Sequence, residues 1–177
     1  MPDDRTRCGW AVGDEEMARY HDEEWGSAPK SDDAWFEMIV LETFQAGLSW
    51  RTVLRKRSAF RRAFRGFSVN EVASFTEEDV ARLLMDEGIV RNRQKIEAAV
   101  KNARIASDLI RTHGSLTDAF QLAKEEGDIL QYLSSTFVRV GRTTAESIAF
   151  ATGLIPPPHE DSCFRAQDVL NGRDELE

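Results

Sequence analysis

The sequence predicts an all-α protein. Apolar residues recur at helical spacing, and no stretch shows the sustained period-two alternation of a β-strand. Capping residues and glycines separate the apolar runs at intervals that suit helices. Val138–Arg139–Val140 is too short to count as a strand. Because the 177 residues are 41% hydrophobic and show no repeat or obvious linker, we expect one helical domain over 1–177.

The N-terminal part is predicted to begin with a helix over 14–25, with Asp14 as its N-cap. A loop follows from Gly26, and Ser31 is placed to cap the next helix. That helix falls in the stretch from Trp35 to Trp50. Its apolar residues cover most of the helix circumference, which predicts a buried helix that stops near Gly47.

We interpret Glu42 as the one carboxylate within this apolar run. Burying an unpaired carboxylate costs several kcal/mol in order-of-magnitude terms, so Glu42 needs a partner or a function. In one interpretation it pairs with an arginine or caps a helix, and Trp50 belongs to the core. In the other, the acid and the indole recognise a flat cationic or polar-edged ring.

The elements after Trp50 are predicted from the same signals, namely apolar spacing, capping residues and glycines. The residues 51–65 predict one basic amphipathic helix ended by Gly66, and 68–75 and 76–85 predict two short helices. Thr76 with Asp79 resembles a capping box, and Gly88 is a candidate C-cap. A long helix is predicted from 89 to the His113–Gly114 pair, with one or two shorter helices broken near Gly127 beyond it.

The segment 137–153 predicts a turn that leads directly into a helix. Gly141 allows a close backbone approach, and the N-terminus of the following helix presents free N–H groups that suit an anion. Arg142 and Thr143 lie beside it. An ordinary loop-to-helix junction would have the same sequence features.

Charge is unevenly distributed along the chain, whose net charge is −8. Counting Lys and Arg against Asp and Glu gives 4 − 12 = −8 for 1–50, 14 − 8 = +6 for 51–111 and 5 − 11 = −6 for 112–177. A basic middle segment can form a phosphate-binding surface, although an ordinary solvated charge pattern is an equally good interpretation. The sequence contains no apolar run of the length that crosses a bilayer, so we expect no membrane association.

Two cysteines and two histidines lie near the chain ends. Cys8 and His21 stand near the start, while His159 and Cys163 are four residues apart near the end, where a helical turn would put them on one face. Two Cys and two His make a closed tetrahedral zinc set. Residues so far apart in sequence need other support before they are taken as one site.

Several motifs together resemble the DNA-3-methyladenine glycosylase I family, from Cys8 to about Arg165. They are CGW at 8–10, YHDEEWG at 20–26, FEMIVLETFQAGLSW at 36–50, GIVRNRQKIEAAVKNAR at 88–104, VGRTT at 140–144 and HxxxCFR at 159–165. The resemblance implies a helix-hairpin-helix DNA glycosylase fold. It implies base-pocket helices over about 8–65, a helical lobe with the hairpin over about 68–153, and a C-terminal zinc-ligand segment over 154–177.

The resemblance also implies residue roles. Glu42 and Tyr20 match residues that hydrogen-bond the excised base, Trp50 matches the residue that stacks on it, and Trp10 and Trp25 match pocket-lining aromatics. Structural Zn²⁺ would be held by Cys8, His21, His159 and Cys163, and the DNA backbone by Gly141, Arg142 and Thr143. The implied reaction is hydrolysis of the N-glycosidic bond of 3-methyladenine in alkylated double-stranded DNA, without lyase activity, by a cytoplasmic, nucleoid-associated monomer.

The sequence departs from the family pattern at four places. Met17 stands where better-known relatives carry a tyrosine, Thr43–Phe44 replaces small residues, and 114–136 looks shorter than usual. Phe137–Val138–Arg139 also replaces the hairpin's usual Leu-Pro-Gly. Two alternatives therefore stay open: a catalytically silent, zinc-containing DNA-binding module, and a glycosylase for a different alkylated base. We expect Asp161, near where many related glycosylases carry a catalytic aspartate, to be a surface residue.

Overall fold

A computed structural model describes residues 4–170 of the chain, with side chains to 167. Over this range it contains helices and no strand, as predicted. The helices are α1 Glu15–Glu23, α2 Asp32–Gln45, α3 Trp50–Arg55, α4 Arg57–Ala63, α5 Val69–Ala73, α6 Glu77–Leu84, α7 Arg93–His113, α8 Leu116–Glu126, α9 Ile129–Thr136, α10 Arg142–Ala151 and α11 Phe164–Leu170. Two short 3₁₀ helices cover Gly9–Ala11 and Arg65–Phe67. The predicted domain limits, 1 and 177, lie outside the described residues.

Helix α2 is the centre of the fold. Every residue from Trp35 to Phe44 is buried, which confirms the prediction of a helix enclosed on all sides. Its first turn also caps two other helices, because Asp33 accepts a hydrogen bond from the N–H of Val69 and Asp32 accepts one from the N–H of Leu116. These contacts place the start of α2 against α5 and α8.

Several predicted helix boundaries are confirmed. Asp14 caps α1, Ser31 caps α2, and Thr76 and Asp79 form a capping box at α6. Gly47, just beyond α2, has a φ of 82°, the left-handed conformation that glycine tolerates best. Helix α7 ends at His113 with Gly114 as its C-cap, and Gly127 separates α8 from α9.

Other boundaries were predicted wrongly. The basic stretch 51–65 is two helices broken at Lys56, not one, and Trp25 lies beyond the end of α1. The C-cap of α6 is Met85 rather than Gly88. Helix α7 begins at Arg93 because Asn92 caps it, so residues 89–92 are not helical. The apolar stripe of Val53, Leu54, Phe60 and Phe64 continues across Lys56, which is why spacing alone did not reveal that break.

The two ends of the described chain are joined. The N–H of Phe164 donates to the carbonyl of Thr6 at 2.8 Å, and the Glu160 carboxylate accepts from the N–H of Gly9 at 2.8 Å. Gly26 and Gly153 also approach closely, since a Cβ on Gly153 would lie 2.4 Å from the carbonyl oxygen of Gly26. These contacts bring the first and last segments together beside α1. No described helix is long and apolar enough to cross a membrane.

Candidate base pocket and metal centre

An aromatic cavity of about 200 Å³ opens beside the C-terminal end of α2. It is lined by Trp10, Tyr20, Trp25, Glu42, Gln45, Trp50, Ser147 and Phe150. The lining comes from the first 3₁₀ helix, α1 and the turn just after it, α2, the start of α3, and α10. A cavity at or below the small end of the range for small-molecule sites suits one ring system better than a whole nucleotide. All five residues predicted to contact a base therefore line one cavity.

The aromatic side chains of this cavity pack against one another. The ring centroids of Tyr20 and Trp50 lie 5.0 Å apart, and those of Trp10 and Trp25 lie 5.0 Å apart with nearly perpendicular planes. Met17 is buried in the same apolar cluster as Tyr20, so Met17 is part of the pocket's support. Contacts of this kind fix the ring orientations before any ligand arrives.

Glu42 is buried in the cavity wall, with 5% of its surface exposed. Burial alone raises the pKa of its carboxyl from 4.5 to about 8. Within the described part of the chain, no cation or hydrogen-bond donor contacts this carboxylate. The interpretation in which Glu42 pairs with an arginine is therefore wrong.

Two further polar groups of the cavity lack partners. Among the described residues, the Tyr20 hydroxyl and the Trp50 indole N–H are the buried side-chain atoms without a hydrogen-bond partner. Burial and the nearby Glu42 raise the pKa of Tyr20 well above its usual range, so its hydroxyl stays protonated. Unsatisfied buried polar groups are rare in native proteins and need an explanation. One acceptor and two donors without partners thus belong to residues that line one aromatic cavity, a combination that suits a polar-edged ring.

Several residues near this site were not predicted from the sequence. Gln45 lies one turn after Glu42, so helical spacing could have identified it. Ser147 and Phe150 line the cavity from α10, and no local sequence signal indicates that they do. Glu37 is a second buried carboxylate of the apolar run, and it receives hydrogen bonds from Arg57 and Arg61. It is therefore Glu37, not Glu42, that forms the arginine pairs considered for this helix.

The four predicted metal ligands form one cluster. The ligand atoms of Cys8, His21, His159 and Cys163 all lie within 4.8 Å of one another. His159 and Cys163 are brought together by the turn before α11 rather than by a helix. Cys163 Sγ lies 3.4 Å from His21 Nε2 and 3.6 Å from His159 Nδ1, and Cys8 Sγ lies 3.6 Å from His159 Nδ1.

These separations fit a tetrahedral ion. Bonds of about 2.3 Å to sulfur and about 2.05 Å to nitrogen place S and N about 3.6 Å apart at the tetrahedral angle. Asp22, which the sequence analysis missed, accepts from His21 Nδ1 at 2.9 Å and thereby directs Nε2 toward the cluster. Burial raises the pKa of the Cys8 thiol to about 11, so a bound cation would have to displace its proton.

The cluster of Cys8, His21, His159 and Cys163 lies directly behind the aromatic cavity. Trp10 packs edge-on against His21 at a centroid distance of 5.2 Å, and Trp25 packs against His159 at 4.8 Å. Two walls of the cavity are thus supported by the cluster. Asp161, between two of the ligands in sequence, is exposed, in agreement with its expected surface position.

The residues predicted to hold DNA lie on the surface at the start of α10. Gly141, Arg142 and Thr143 are all exposed, and no side chain caps this helix N-terminus. Its first N–H groups therefore remain available to an anion. The Arg142 guanidinium lies 3.5 Å from Asp128 and 3.8 Å from Glu146, so part of its charge is already balanced.

Most arginines of the basic middle segment form contacts within the fold. Arg51 and Arg55 pair with Asp14, and Arg104 donates to backbone carbonyls. Further ion pairs include those of Arg57 and Arg61 with Glu37, Arg65 and Arg82 with Asp79, Arg93 with Glu97, and Arg111 with Asp108. For these residues the ordinary charge pattern is the better interpretation.

With this geometry established, comparison with known proteins identifies the family. The family model described as methyladenine glycosylase matches residues 10–155. The chain belongs to this family. It is 51% identical over 98 residues to DNA-3-methyladenine glycosylase 1 of Escherichia coli strain K12, and 45% identical over 100 residues to DNA-3-methyladenine glycosylase of Haemophilus influenzae. These matches cover 55% and 56% of this chain and 52% and 54% of the relatives, so the chain spans about half the length of the curated relatives it matches.

Solved structures of family members match over a larger part of the chain. A crystal structure of 3-methyladenine DNA glycosylase I is 35% identical with a TM-score of 0.80, and the match covers 90% of this chain and 98% of that one. The second structure is a tyrosine-to-phenylalanine variant of 3-methyladenine DNA glycosylase I in complex with 3-methyladenine. It is 27% identical with a TM-score of 0.74, and the match covers 87% of this chain and 99% of that one. The resemblance inferred from the sequence motifs is confirmed at the level of family and helical fold.

Proposed function

We propose that this chain is a DNA glycosylase that removes 3-methyladenine from alkylated double-stranded DNA. The observation that carries the proposal is the set of three unsatisfied polar groups, on Glu42, Tyr20 and Trp50, in one aromatic cavity. A purine presents N–H donors and ring-nitrogen acceptors along one edge, so its edge can satisfy the Glu42 carboxyl and the Tyr20 hydroxyl together, while Trp50 offers the face of its ring. The names of the relatives support the same substrate.

The chemistry we assign to the pocket requires little acid catalysis. Methylation at N3 gives the attached adenine a positive charge and makes it a good leaving group. The nucleotide is flipped out of the stack, at a cost of a few kcal/mol. Water then forms a bond to C1′ of the sugar while the C1′–N9 bond breaks. The base takes the bonding electron pair and leaves neutral, and the water proton passes to solvent. No lyase step follows.

Each pocket residue has a defined part in this scheme. The face of Trp50 attracts a cationic ring more than a neutral one. Glu42 accepts the exocyclic N–H of the base, and the positive ring favours the ionised carboxylate against the raised pKa that burial imposes. Tyr20 donates to the base, and Trp10 and Trp25 exclude water at the cavity walls. The carboxylate thus favours the methylated base over normal adenine, which carries no charge.

We further propose that Cys8, His21, His159 and Cys163 hold a structural Zn²⁺. The sulfur–nitrogen separations and the support from Asp22 favour this assignment. When bound, the ion would cross-link the first and last segments of the chain and stiffen the wall behind Trp10 and Trp25. It would have no open coordination position, so it is not assigned a step in the reaction.

We also propose that α9, the turn at 137–141 and α10 act as a helix-hairpin-helix unit. The uncapped N–H groups at Gly141, Arg142 and Thr143 would bind one DNA phosphate without reading sequence. In this proposal the chain works as one monomeric glycosylase domain with the three parts predicted from the sequence. We assign it to the bacterial cytoplasm, at the nucleoid, because the named relatives are bacterial enzymes.

Base release from methylated duplex DNA tests the proposal, with 3-methyladenine separated from 7-methylguanine and 3-methylguanine. We expect release of 3-methyladenine by the natural protein and strong impairment by Glu42→Gln. Release of another base would move the substrate assignment to a different alkylated base. DNA binding without release of any base would instead identify a catalytically silent DNA-binding module.

A further inference from the structure

Helix α7 contacts both parts of the proposed site through two buried polar side chains. Lys95 is 7% exposed and Asn102 is fully buried, and they lie seven residues apart. Seven residues make about two turns, so both side chains leave the helix on the same face. Each one bonds the backbone of a different element rather than another side chain.

Lys95 holds the C-terminal end of α2. Its ammonium donates to the carbonyl oxygens of Phe44 at 2.8 Å and Ala46 at 2.6 Å. The last carbonyls of a helix have no partner within the helix, and they carry the negative end of its dipole. Within the part of the chain that the structure describes, Lys95 forms no ion pair with a carboxylate. Its charge is therefore directed at the helix end that carries Glu42, less than one turn away.

Asn102 holds the hairpin turn. Its amide donates to the carbonyl of Val138 at 3.1 Å and accepts from the N–H of Val138 at 2.7 Å, so one side chain satisfies both backbone groups. The next residue, Arg139, has a φ of 61°, a strained conformation for a residue with a side chain. Arg139 also donates to Gln94 of α7 at 2.9 Å. The turn that leads to Gly141 is thus fixed to the same helix as the base pocket.

We propose that Lys95 and Asn102 are positioning residues that set the base pocket relative to the DNA-binding hairpin. Lys95 fixes the last turn of α2, so that Glu42 and Gln45 face the cavity. Asn102 fixes the 137–141 turn, so that the N–H groups at the start of α10 point toward the DNA backbone. The inference rests on the proposed function, because it assigns base recognition to Lys95 and DNA binding to Asn102.

The test measures two affinities for each variant: that for free 3-methyladenine, from tryptophan fluorescence, and that for undamaged duplex DNA, from anisotropy. We expect Lys95→Met to weaken base binding about tenfold, as for a lost hydrogen bond to a charged group, and to leave DNA affinity nearly unchanged. We expect Asn102→Ala to weaken DNA binding by a similar factor and to leave the affinity for free 3-methyladenine nearly unchanged. Lys95→Arg, which keeps the charge and donors, should recover most of the base affinity.

Exposed residues of the same types provide matched controls. Lys101→Met on α7 and Asn70→Ala on α5 remove side chains that are exposed, and both variants should keep the two affinities of the natural protein. Asn102→Asp is the second variant if Asn102→Ala does not fold, because it retains the acceptor for the Val138 N–H. Equal losses of both affinities in the Lys95 and Asn102 variants would overturn the proposal by showing general destabilisation.

Amide hydrogen exchange separates failure of this inference from failure of the proposed function. Lys95→Met should raise exchange locally at 44–48, and Asn102→Ala should raise it locally at 138–141. If the natural protein binds neither the base nor DNA, the proposed function fails, while the exchange pattern still decides whether the two residues fix these segments. Unchanged exchange in both segments would overturn the positioning role itself.

Discussion

Glu37 and Glu42 lie five residues apart on α2, and both carboxylates are buried. Glu37 receives hydrogen bonds from Arg57 and Arg61, and Arg57 also pairs with Glu24. Glu42 has no partner in the described part of the chain, and burial raises its pKa to about 8. One helix thus carries a carboxylate satisfied by the fold beside one that the fold leaves unsatisfied.

The difference indicates what each acid is for. A buried ion pair with good geometry offsets the loss of hydration, and removal of one partner leaves an uncompensated charge. An unpaired buried carboxylate destabilises the folded state, so its presence is explained by a ligand that completes its hydrogen bonds. Glu37 therefore holds α2 against α4, whereas Glu42 is available for a base.

The largest expected effect separates the two acids by activity. Glu42→Gln should slow release of 3-methyladenine by about 100-fold or more, the scale seen when one electrostatic contact to a transition state is lost. Glu37→Gln should retain most activity at a temperature where the variant is folded. Single-turnover release from methylated DNA measures both. Equal losses in the two variants would remove the distinction between them.

Removal of the metal that we propose at the Cys–His cluster should affect the pocket that contains Glu42 more than the ion pairs of Glu37. Cys163→Ser, or treatment with a strong chelator, should lower the free energy of unfolding by an amount on the order of several kcal/mol, because the cross-link between the chain ends is lost. Weaker base binding should accompany this loss, since Trp10 and Trp25 pack on the histidine ligands. Thermal unfolding combined with metal analysis tests this expectation. Unchanged stability after complete removal of bound metal would contradict it.

Stability should change in opposite directions in the two glutamine variants. Glu37→Gln should lower the free energy of unfolding by about 2 to 4 kcal/mol, below the full value for a buried pair because Arg61 is half exposed. Glu42→Gln should raise it at pH 8, because it removes an uncompensated charge. Denaturant unfolding of both variants against the natural protein measures the two changes.

The pH dependence of the Glu42 effect follows from its raised pKa. The folded state favours the protonated acid, so it binds more protons than the unfolded state between pH 4.5 and about 8. The contribution of Glu42 to stability therefore decreases as pH rises through this window and is lowest above it. The advantage of Glu42→Gln should accordingly shrink toward pH 4.5. An advantage that does not vary with pH would mean that the natural carboxyl does not titrate in this window.

The smallest expected effect concerns a third carboxylate. Asp161 is exposed, so Asp161→Asn should keep most activity and change stability by no more than about 0.5 kcal/mol. The same base-release assay and a metal determination test this. Lost activity with full metal content would place Asp161 in the reaction.

The sequence was sufficient to predict α2, its N-cap Ser31 and its burial, because apolar residues covering a whole helix leave few other structures. It did not distinguish Glu37 from Glu42. Both acids stand in the same apolar run, and the arginines that pair with Glu37 come from α4, about twenty residues away. Pairing across elements depends on packing, which spacing within one helix does not encode. The pocket contribution of Phe150 was missed for the same reason.

The four predicted metal ligands show what the family resemblance contributed beyond the local sequence pattern. Cys8 and Cys163 are 155 positions apart, and no local pattern joins them, so only the family motifs brought them into one predicted set. The structure then places the four ligand atoms together. Asp22 could have been suspected because it follows His21 directly, yet a neighbouring acid is common in a helix.

The pKa of the Glu42 carboxyl, followed by ¹³C NMR with and without 3-methyladenine, tests the central claim most directly. An unpaired acid in the empty pocket should titrate near pH 8, and bound base should lower that pKa by at least about one unit, because N–H donation stabilises the carboxylate. A pKa near 4.5 in the free protein would show that Glu42 already has a partner. A raised pKa that base does not change would show that the acid does not contact the base.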